Sequence, residues 1–350
     1  MSAAGERDEP IEKDPAVLAR LDQWMQDNVE DYRGPPEVAR FAGGQSNPTY
    51  KLTTPDRGYV VRRKPSGQLL KGAHAIDREV RILRALRTVG FPVPDVFALC
   101  TDESVIGTWF YVMELIEGRV FWDTSFPQVS RGDRPRYFDA MNSTLAELHG
   151  IDYAAIGLGD FGARSNYIER EIARWTNQYL RDSGAGRDIN TDRVSAWLLQ
   201  NIPPADLTAI VHGDFRCDNL IFHPTEPHVI AVLDWELSTL GDPLADFAYH
   251  LMIYRLLPRG IAGLVGCDLP SLNIPSEIDY VSAYCARTGR SQISNLNFYL
   301  AFNVFRLAAI VHGIKGRTLR GTASSQRSSE LIRALPYFAE IAWNLATAES

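Results

Sequence analysis

The chain has 350 residues, 45% of them apolar and 23% charged, which is the profile of a folded protein and suggests about two domains of ordinary size. Acids outnumber bases 43 to 36, a formal charge of −7. That balance argues against nucleic acid as the partner, because phosphate-backbone binding draws on a basic face. Cys100, Cys217, Cys267 and Cys285 form no C-x-x-C pair and no His/Cys cluster with zinc spacing, so they read as reduced thiols of a cytoplasmic protein. The polar first residues lack the apolar core of a signal peptide. The most apolar run, near 301–314, carries Arg306 and His312, so no membrane span is expected.

Taken in chain order, residues 1–13 read as a loose tail. Val17, Leu18, Leu21, Trp24 and Met25 recur at helical spacing, and Gly34-Pro35-Pro36 is expected to end that helix. Val38 to Phe41 and Thr49 to Thr53 read as two strands joined by the tight loop Gly43-Gly44-Gln45-Ser46-Asn47, with Tyr59 to Arg63 as a third strand. Ala75 to Val89 is a helix with Ile76, Val80, Leu83 and Leu86 on one face. Val93 to Leu99 and Trp109 to Ile116 supply two more strands. After Glu117-Gly118 the pattern turns helical: Tyr137 to His149, Tyr167 to Leu180, Asp192 to Asn201, and again from Leu244 onward. Short apolar strands around 210–211, 220–222 and 229–233 sit among polar loops. The fold class is therefore α+β and bilobal. Residues 1–37 form a tail and helix, 38–116 a small, mostly antiparallel β lobe, and 117–350 a larger helical lobe. A cleft between two lobes is a common place for a nucleotide.

The stretch Val211-His212-Gly213-Asp214-Phe215-Arg216-Cys217-Asp218-Asn219-Leu220 carries the chemistry, with Leu233-Asp234-Trp235-Glu236 following. An amide at Asn219 and a carboxylate at Asp234 are two hard oxygen donors able to converge on one Mg²⁺. Asp214, five residues before the amide, is then placed to face a substrate hydroxyl. Phosphoryl transfer needs that division of labour, with metal on the phosphates and a separate carboxylate orienting the attacking oxygen.

These residues resemble the aminoglycoside phosphotransferase and choline kinase group, which has the protein-kinase-like fold. The resemblance is particularly close to the kinase-like segments fused to some acyl-CoA dehydrogenases, in GGQSNPTYKL, VVRRKP, HGDFRCDNLIFHP and LDWELSTLGDPLADFA. It implies an ATP- and Mg-dependent kinase acting on a small-molecule alcohol, with Asp214 as catalytic base and Asn219 and Asp234 as metal ligands. His212 becomes an organiser of the loop, and Arg216 sits where such enzymes place a cation over the γ-phosphate. Gly43, Gly44, Ser46 and Asn47 become the loop over the phosphates. Arg62 stands where Lys is usual, as partner of the α/β-phosphates. Strand alternation separates Arg62 and Lys64 from Arg63 and favours Arg62, leaving Lys64 open. Glu79 would pair with that cation or lie solvated on its helix. Met113 to Gly118 would be the hinge, with backbone groups of Glu114 and Ile116 meeting the adenine edge. Asp242 is expected to cap a helix at Pro243, and Asp246 to bond the catalytic loop from below. Asp218 and Glu236 read as solvated acids, with a second metal or a cationic substrate as the other use.

Three functions compete. A protein kinase is disfavoured because Asp234 is followed by Trp-Glu and no activation segment fits before Pro243. A nucleotide-binding module without turnover would have lost the base or a metal ligand, and all three are present. A metallophosphoesterase would need Asp-x-His and Gly-Asn-His elements, which the chain lacks. Aromatics such as Trp122, Tyr167, Trp175, Tyr249 and Tyr254 are candidates for the acceptor pocket, whose ligand and the oligomeric state the sequence leaves open.

Overall fold

The structure is a computed structural model that describes residues 11–41, 47–65, 75–204, 207–258, 263–321 and 326–348. The chain divides into two compact units, one of residues 1–118 with 230–236, the other of residues 119–229 with 237–350.

In the first unit, α1 (Pro15–Asn28) starts because the Asp14 carboxylate accepts from the amides of Ala16 (2.8 Å) and Val17 (3.3 Å), with Pro15 at the first helical position. The helix stops at Asn28, before the Gly-Pro-Pro sequence expected to end it. Val29 turns extended, which lets it and Tyr32 join the apolar core as separate anchors. Strands β1 (Glu37–Arg40), β2 (Thr49–Thr53) and β3 (Gly58–Arg63) follow. After them come α2 (Ile76–Arg87), β4 (Val96–Cys100), the short α3 (Glu103–Ile106) and β5 (Phe110–Glu114). The five strands form one antiparallel sheet, the kind of lobe the sequence predicts, in the order β1-β2-β3-β5-β4, which the sequence leaves open. β4 begins at Val96 instead of Val93, because Pro94 has no amide to give a ladder.

The register sorts β3 into two faces. Tyr59 and Val61 join Tyr50, Leu52, Phe110 and Val112 in a core with Leu21 and Met25 of α1. Arg62, opposite Thr49 and Tyr111, lies on the other face, towards Glu79 of α2. All of β3 from Tyr59 onward is buried, so this strand is covered on both sides.

In the second unit come α4 (Arg134–Gly150), α5 (Tyr167–Arg181), α6 (Ile189–Gln200), β6 (Ala209–Val211) and β7 (Leu220–Phe222). Strand β8 (Val229–Val232) carries the chain into residues 230–236, which belong to the first unit. β9 (Thr239–Gly241) pairs antiparallel with β6. Helices α7 (Pro243–Leu251), α8 (Leu269–Leu272), α9 (Glu277–Arg287), α10 (Leu296–Leu319) and α11 (Gln326–Thr347) complete the unit. The α10 helix is long and apolar enough to cross a membrane, yet 83% of its most apolar stretch is buried inside the protein. It packs against α5, α6, α7 and α11 and is the core helix of its unit. Its polar residues Asn303, Arg306 and His312 are therefore buried too, each with a partner: Asn303 donates to the Ala245 carbonyl (2.8 Å), and His312 Nε2 meets that of Gly186 (2.7 Å).

Candidate active site

The turn after β6 is held by α7, residue by residue. Asp242 caps that helix through the Leu244 amide (2.8 Å), with Pro243 at its first position, as the sequence predicts. One turn later the Asp246 carboxylate accepts from the amides of His212 (2.7 Å) and Gly213 (2.8 Å), and from His149 at 3.2 Å. Burial alone would push the Asp246 carboxyl up, but His149, His212 and these hydrogen bonds outweigh it, and the net shift is downward. The next residues on the same face are Tyr249, whose hydroxyl donates to Oδ1 of Asp214, and His250, whose Nδ1 lies 3.2 Å from the Phe215 carbonyl. Burial brings His250 down to about 4, so it is a neutral imidazole, with Nε2 against the Tyr280 hydroxyl at 2.6 Å. A single helix thus grips His212, Gly213, Asp214 and Phe215.

His212 is fully buried, and its Nδ1 accepts from the Asp214 amide (3.1 Å), the loop-organising role expected of it. Gly213 has φ of +81°, and a Cβ there would sit 3.0 Å from the Leu237 carbonyl oxygen. Glycine is what this turn admits. From α10, the Arg306 guanidinium donates to the Gly213 carbonyl (2.7 Å) and lies over the rings of Tyr249 (4.9 Å) and Trp175 (5.4 Å).

Asp214, Arg216 and Asn219 are brought together. Asn219 Nδ2 donates to the Asp214 carbonyl (2.9 Å) and to Oδ2 (3.1 Å), which turns its amide oxygen away from the loop. Arg216 pairs with Asp214 (3.2 Å) and Asp218 (2.9 Å). Its guanidinium thus serves two carboxylates of its own loop. Asp218, with 14% of its side chain exposed, is a half-buried ion-pair partner of Arg216 and not a freely solvated acid. Burial pushes the Cys217 thiol up to about 12, so it is an inert core residue.

The first unit holds the other expected residues. Arg62 pairs with Glu79 (2.8 Å), Asp234 (2.7 Å) and Glu236 (3.4 Å). Asn47, fully buried, donates to Glu79 (2.9 Å) and Glu236 (3.4 Å), and the Tyr111 hydroxyl donates to Glu79 (3.0 Å). Burial works against charge on Arg62, but the surrounding acids outweigh it and raise its affinity for the proton further. Burial likewise dominates at Glu79, whose carboxyl stays above its ordinary value despite Arg62 and Tyr111. Glu79 is thus a buried partner and no solvated helix charge, and Glu236 joins the same network. Lys64 lies elsewhere, with its ammonium over the Trp109 ring (4.0 Å). Arg63 is buried over Tyr50 on the other face of the sheet. Asp234 adopts φ of +65°. Glu114 and Ile116 are not part of this cluster. The Glu114 amide donates to the Asp95 carbonyl (2.9 Å). Gly43, Gly44 and Ser46 lie outside the described residues.

The sequence does not reveal Tyr249 as the partner of Asp214, nor Arg306 as the partner of Gly213 and Tyr249. Tyr249 stands out only as one aromatic among several. Arg306 has a signal, a cation in the middle of the chain's most apolar run.

The five-stranded antiparallel sheet with its Arg62–Glu79 pair, and the helical unit with its glycine-turned Asp214 loop, define a kinase-like phosphotransferase. The model of the phosphotransferase enzyme family matches residues 37–265, and the chain belongs to that family. Acyl-CoA dehydrogenase family member 10 of Mus musculus is 46% identical over 319 residues, 90% of this chain and 30% of that protein. The chain spans about a third of the length of the curated relatives it matches. Among solved structures, a Ralstonia eutropha protein described as a candidate aminoglycoside phosphotransferase is 48% identical, with a TM-score of 0.85 over 94% of this chain and 97% of that one. A thermostable mutant of an aminoglycoside phosphotransferase, solved in ternary complex with AMP-PNP and hygromycin B, shares the fold at 13% identity, with a TM-score of 0.60 over 94% of this chain and 99% of its own.

Proposed function

We propose that this chain transfers the γ-phosphoryl group of ATP, with Mg²⁺, to an alcohol hydroxyl of a small molecule. The observation that carries the reading is the Asp214 loop, in which a carboxylate is held by Tyr249 and Asn219 on a turn fixed by Asp246. Asp214 orients the acceptor hydroxyl and takes its proton as the new oxygen–phosphorus bond forms. Arg62, fixed in its rotamer by Glu79, meets the α/β-phosphates bidentately. The carbonyl of Glu114 and the amide of Ile116 meet the adenine edge.

The donors present fit a magnesium ion. Asn219 has its Nδ2 on the loop, and among the described residues Asp234 has only Oδ1 paired, so each keeps a hard oxygen for a cation. Asn219 and Asp234 would hold it, and bound there it supplies neutralising charge for the β- and γ-phosphates. Two protein ligands suit Mg²⁺, which completes its shell with phosphate oxygens and water.

Two acceptor classes follow from the relatives. Their names attach this segment to acyl-CoA dehydrogenases, which supports a hydroxylated acyl thioester. The hygromycin B complex of the fold neighbour supports an amino sugar. The test is an ATP-consumption screen over alcohols, amino sugars and hydroxyacyl thioesters, run beside Asp214→Asn and Asp234→Asn. Asp214→Asn should lose about 10²–10⁴ in rate while calorimetric Mg-ATP affinity stays near the parent's, since an amide cannot take the proton. Asp234→Asn should lose affinity and rate together. Full turnover in Asp214→Asn would refute the reading. Mg-ATP binding without turnover on any acceptor would make the chain a nucleotide-binding module.

A further inference from the structure

The two oxygens of Asp214 are not equivalent. Oδ1 accepts the Tyr249 hydroxyl and faces Arg216 Nε at 3.2 Å. Among the described residues Oδ2 takes only the Asn219 amide, at 3.1 Å. A carboxylate has about four lone-pair sites, so Oδ2 keeps one open, while Oδ1 takes the Tyr249 hydrogen bond and is flanked by the Arg216 cation as an ion pair without a hydrogen bond. Tyr249 is half-buried, and desolvation together with Asp214 keeps its hydroxyl protonated well past neutral pH, so it is a standing donor. Its ring is in turn covered by Arg306, which is 6% exposed and, among the described residues, has a single hydrogen bond, to the Gly213 carbonyl. No carboxylate pairs with Arg306 among the described residues, and its Nε has no partner there. Such a cation is costly to bury. Its contacts explain where it sits, because one guanidinium fixes both the ring that holds Asp214 and the carbonyl next to it.

Resting on the phosphotransferase reading above, we propose that Tyr249 and Arg306 are positioning residues that fix the rotation of the Asp214 carboxylate, so that Oδ2 is the oxygen that meets the acceptor. The acceptor O–H proton passes to Oδ2 while the acceptor oxygen bonds to phosphorus. The bond from phosphorus to the β–γ bridging oxygen breaks, and ADP leaves with that electron pair. Tyr249 neither gains nor loses a proton in this step. It stops the carboxylate from turning its protonatable edge away, and small misplacements of a catalytic group are known to cost about a hundredfold in rate.

The test compares the parent with Tyr249→Phe, Arg306→Lys and Arg306→Met in the full chain, using the acceptor found by the screen. Tyr249→Phe keeps the ring and removes only the donor. Its kcat should fall about 10- to 100-fold, while KM for ATP and calorimetric Mg-ATP affinity stay within about twofold. Arg306→Met should show the same split between kcat and KM, and Arg306→Lys, which keeps the cation, should recover a large part of the lost kcat. Circular dichroism and thermal midpoints check folding; if Tyr249→Phe does not fold, the Arg306 pair carries the test. A parent that turns over, with Tyr249→Phe or Arg306→Met within about twofold of its kcat, overturns the positioning role and leaves the phosphotransferase reading intact. Loss of nucleotide affinity in step with kcat also overturns it. A parent with no turnover refutes both.

Discussion

Replacing Arg62 by Met leaves Glu79, Asp234 and Glu236 facing one another without their shared cation. The three pairs measure 2.8, 2.7 and 3.4 Å, and the Arg62 and Glu79 side chains are 10% and 2% exposed, so solvent cannot substitute for the guanidinium. Breaking a buried pair by removing one partner costs about 3–5 kcal/mol. The loss should depend on pH. Glu79 already titrates above its ordinary value, burial being the main cause, and Arg62 is the largest influence holding it down. Without Arg62 the folded carboxyl rises further. A raised carboxyl favours the folded state below the unfolded pKa, and that contribution is lost as pH rises through the folded value. The deficit of Arg62→Met should therefore be larger at pH 8 than at pH 5.5. Adding Glu79→Gln should return part of it, with a coupling of about 0.5–3 kcal/mol. Guanidinium unfolding followed by tryptophan fluorescence measures the deficit, and hydrogen exchange of β3 amides assigns it to the first unit. Arg63→Met, on the opposite face over Tyr50, should leave nucleotide affinity far less affected than Arg62→Met. A deficit under about 1 kcal/mol, or one equal at both pH values, would refute the buried-network argument.

Asp246→Asn should destabilise the second unit at neutral pH by roughly 3 kcal/mol and slow turnover, because the ionised carboxylate holds two amides and His149. Its carboxyl lies below the ordinary value, so this stabilisation should persist as pH falls to the ordinary carboxylate range and disappear only beneath it; the parent's unfolding curves from pH 7 to pH 3 check this. Gly213→Ala should cost about 1–3 kcal/mol and lower kcat, since φ of +81° and the Leu237 carbonyl both oppose a side chain; a fully active, equally stable variant would contradict it. ATP at about 100 times its Kd should add about 2.7 kcal/mol of stability in the presence of Mg²⁺ and much less with EDTA, read as a thermal shift.

The patterns legible in the sequence are the local ones. Helix α2 is written in Ile76, Val80, Leu83 and Leu86, β3 in its run of β-branched residues, and the Asp242 cap in the proline that follows it. The Asp214 to Asn219 spacing is also a short-range code, and one ten-residue turn carries it. Strand alternation is enough to send Arg62 and Arg63 to opposite faces of the sheet. Tyr249 and Arg306 stay hidden because their link to Asp214 depends on two helices lying 35 and 92 positions downstream of it in the chain. Periodicity reports which face of α7 is buried, but not what the buried polar groups touch. The pairing of Arg216 with Asp214 and Asp218 is invisible for a different reason. A cation two residues from one acid and two from another has several rotamers, and packing alone selects among them.

The grip of α7 on the Asp214 loop makes this region intolerant of changes in length. Asp242, Asp246, Tyr249 and His250 do their work at spacings of four, three and one residues. One residue inserted inside α7 would turn everything after it by about 100°, carrying Tyr249 and His250 off Asp214 and Phe215 while Asp242 still capped the helix. Thr225 and Glu226, exposed after the Asp214 loop, are tied down differently: their amides donate to the ring of their near neighbour His223, a contact that stays within the tip between β7 and β8. Length variation among natural relatives of this chain is accordingly expected to collect at that tip, and segments 212–219 and 242–250 should vary in residue identity but not in residue number.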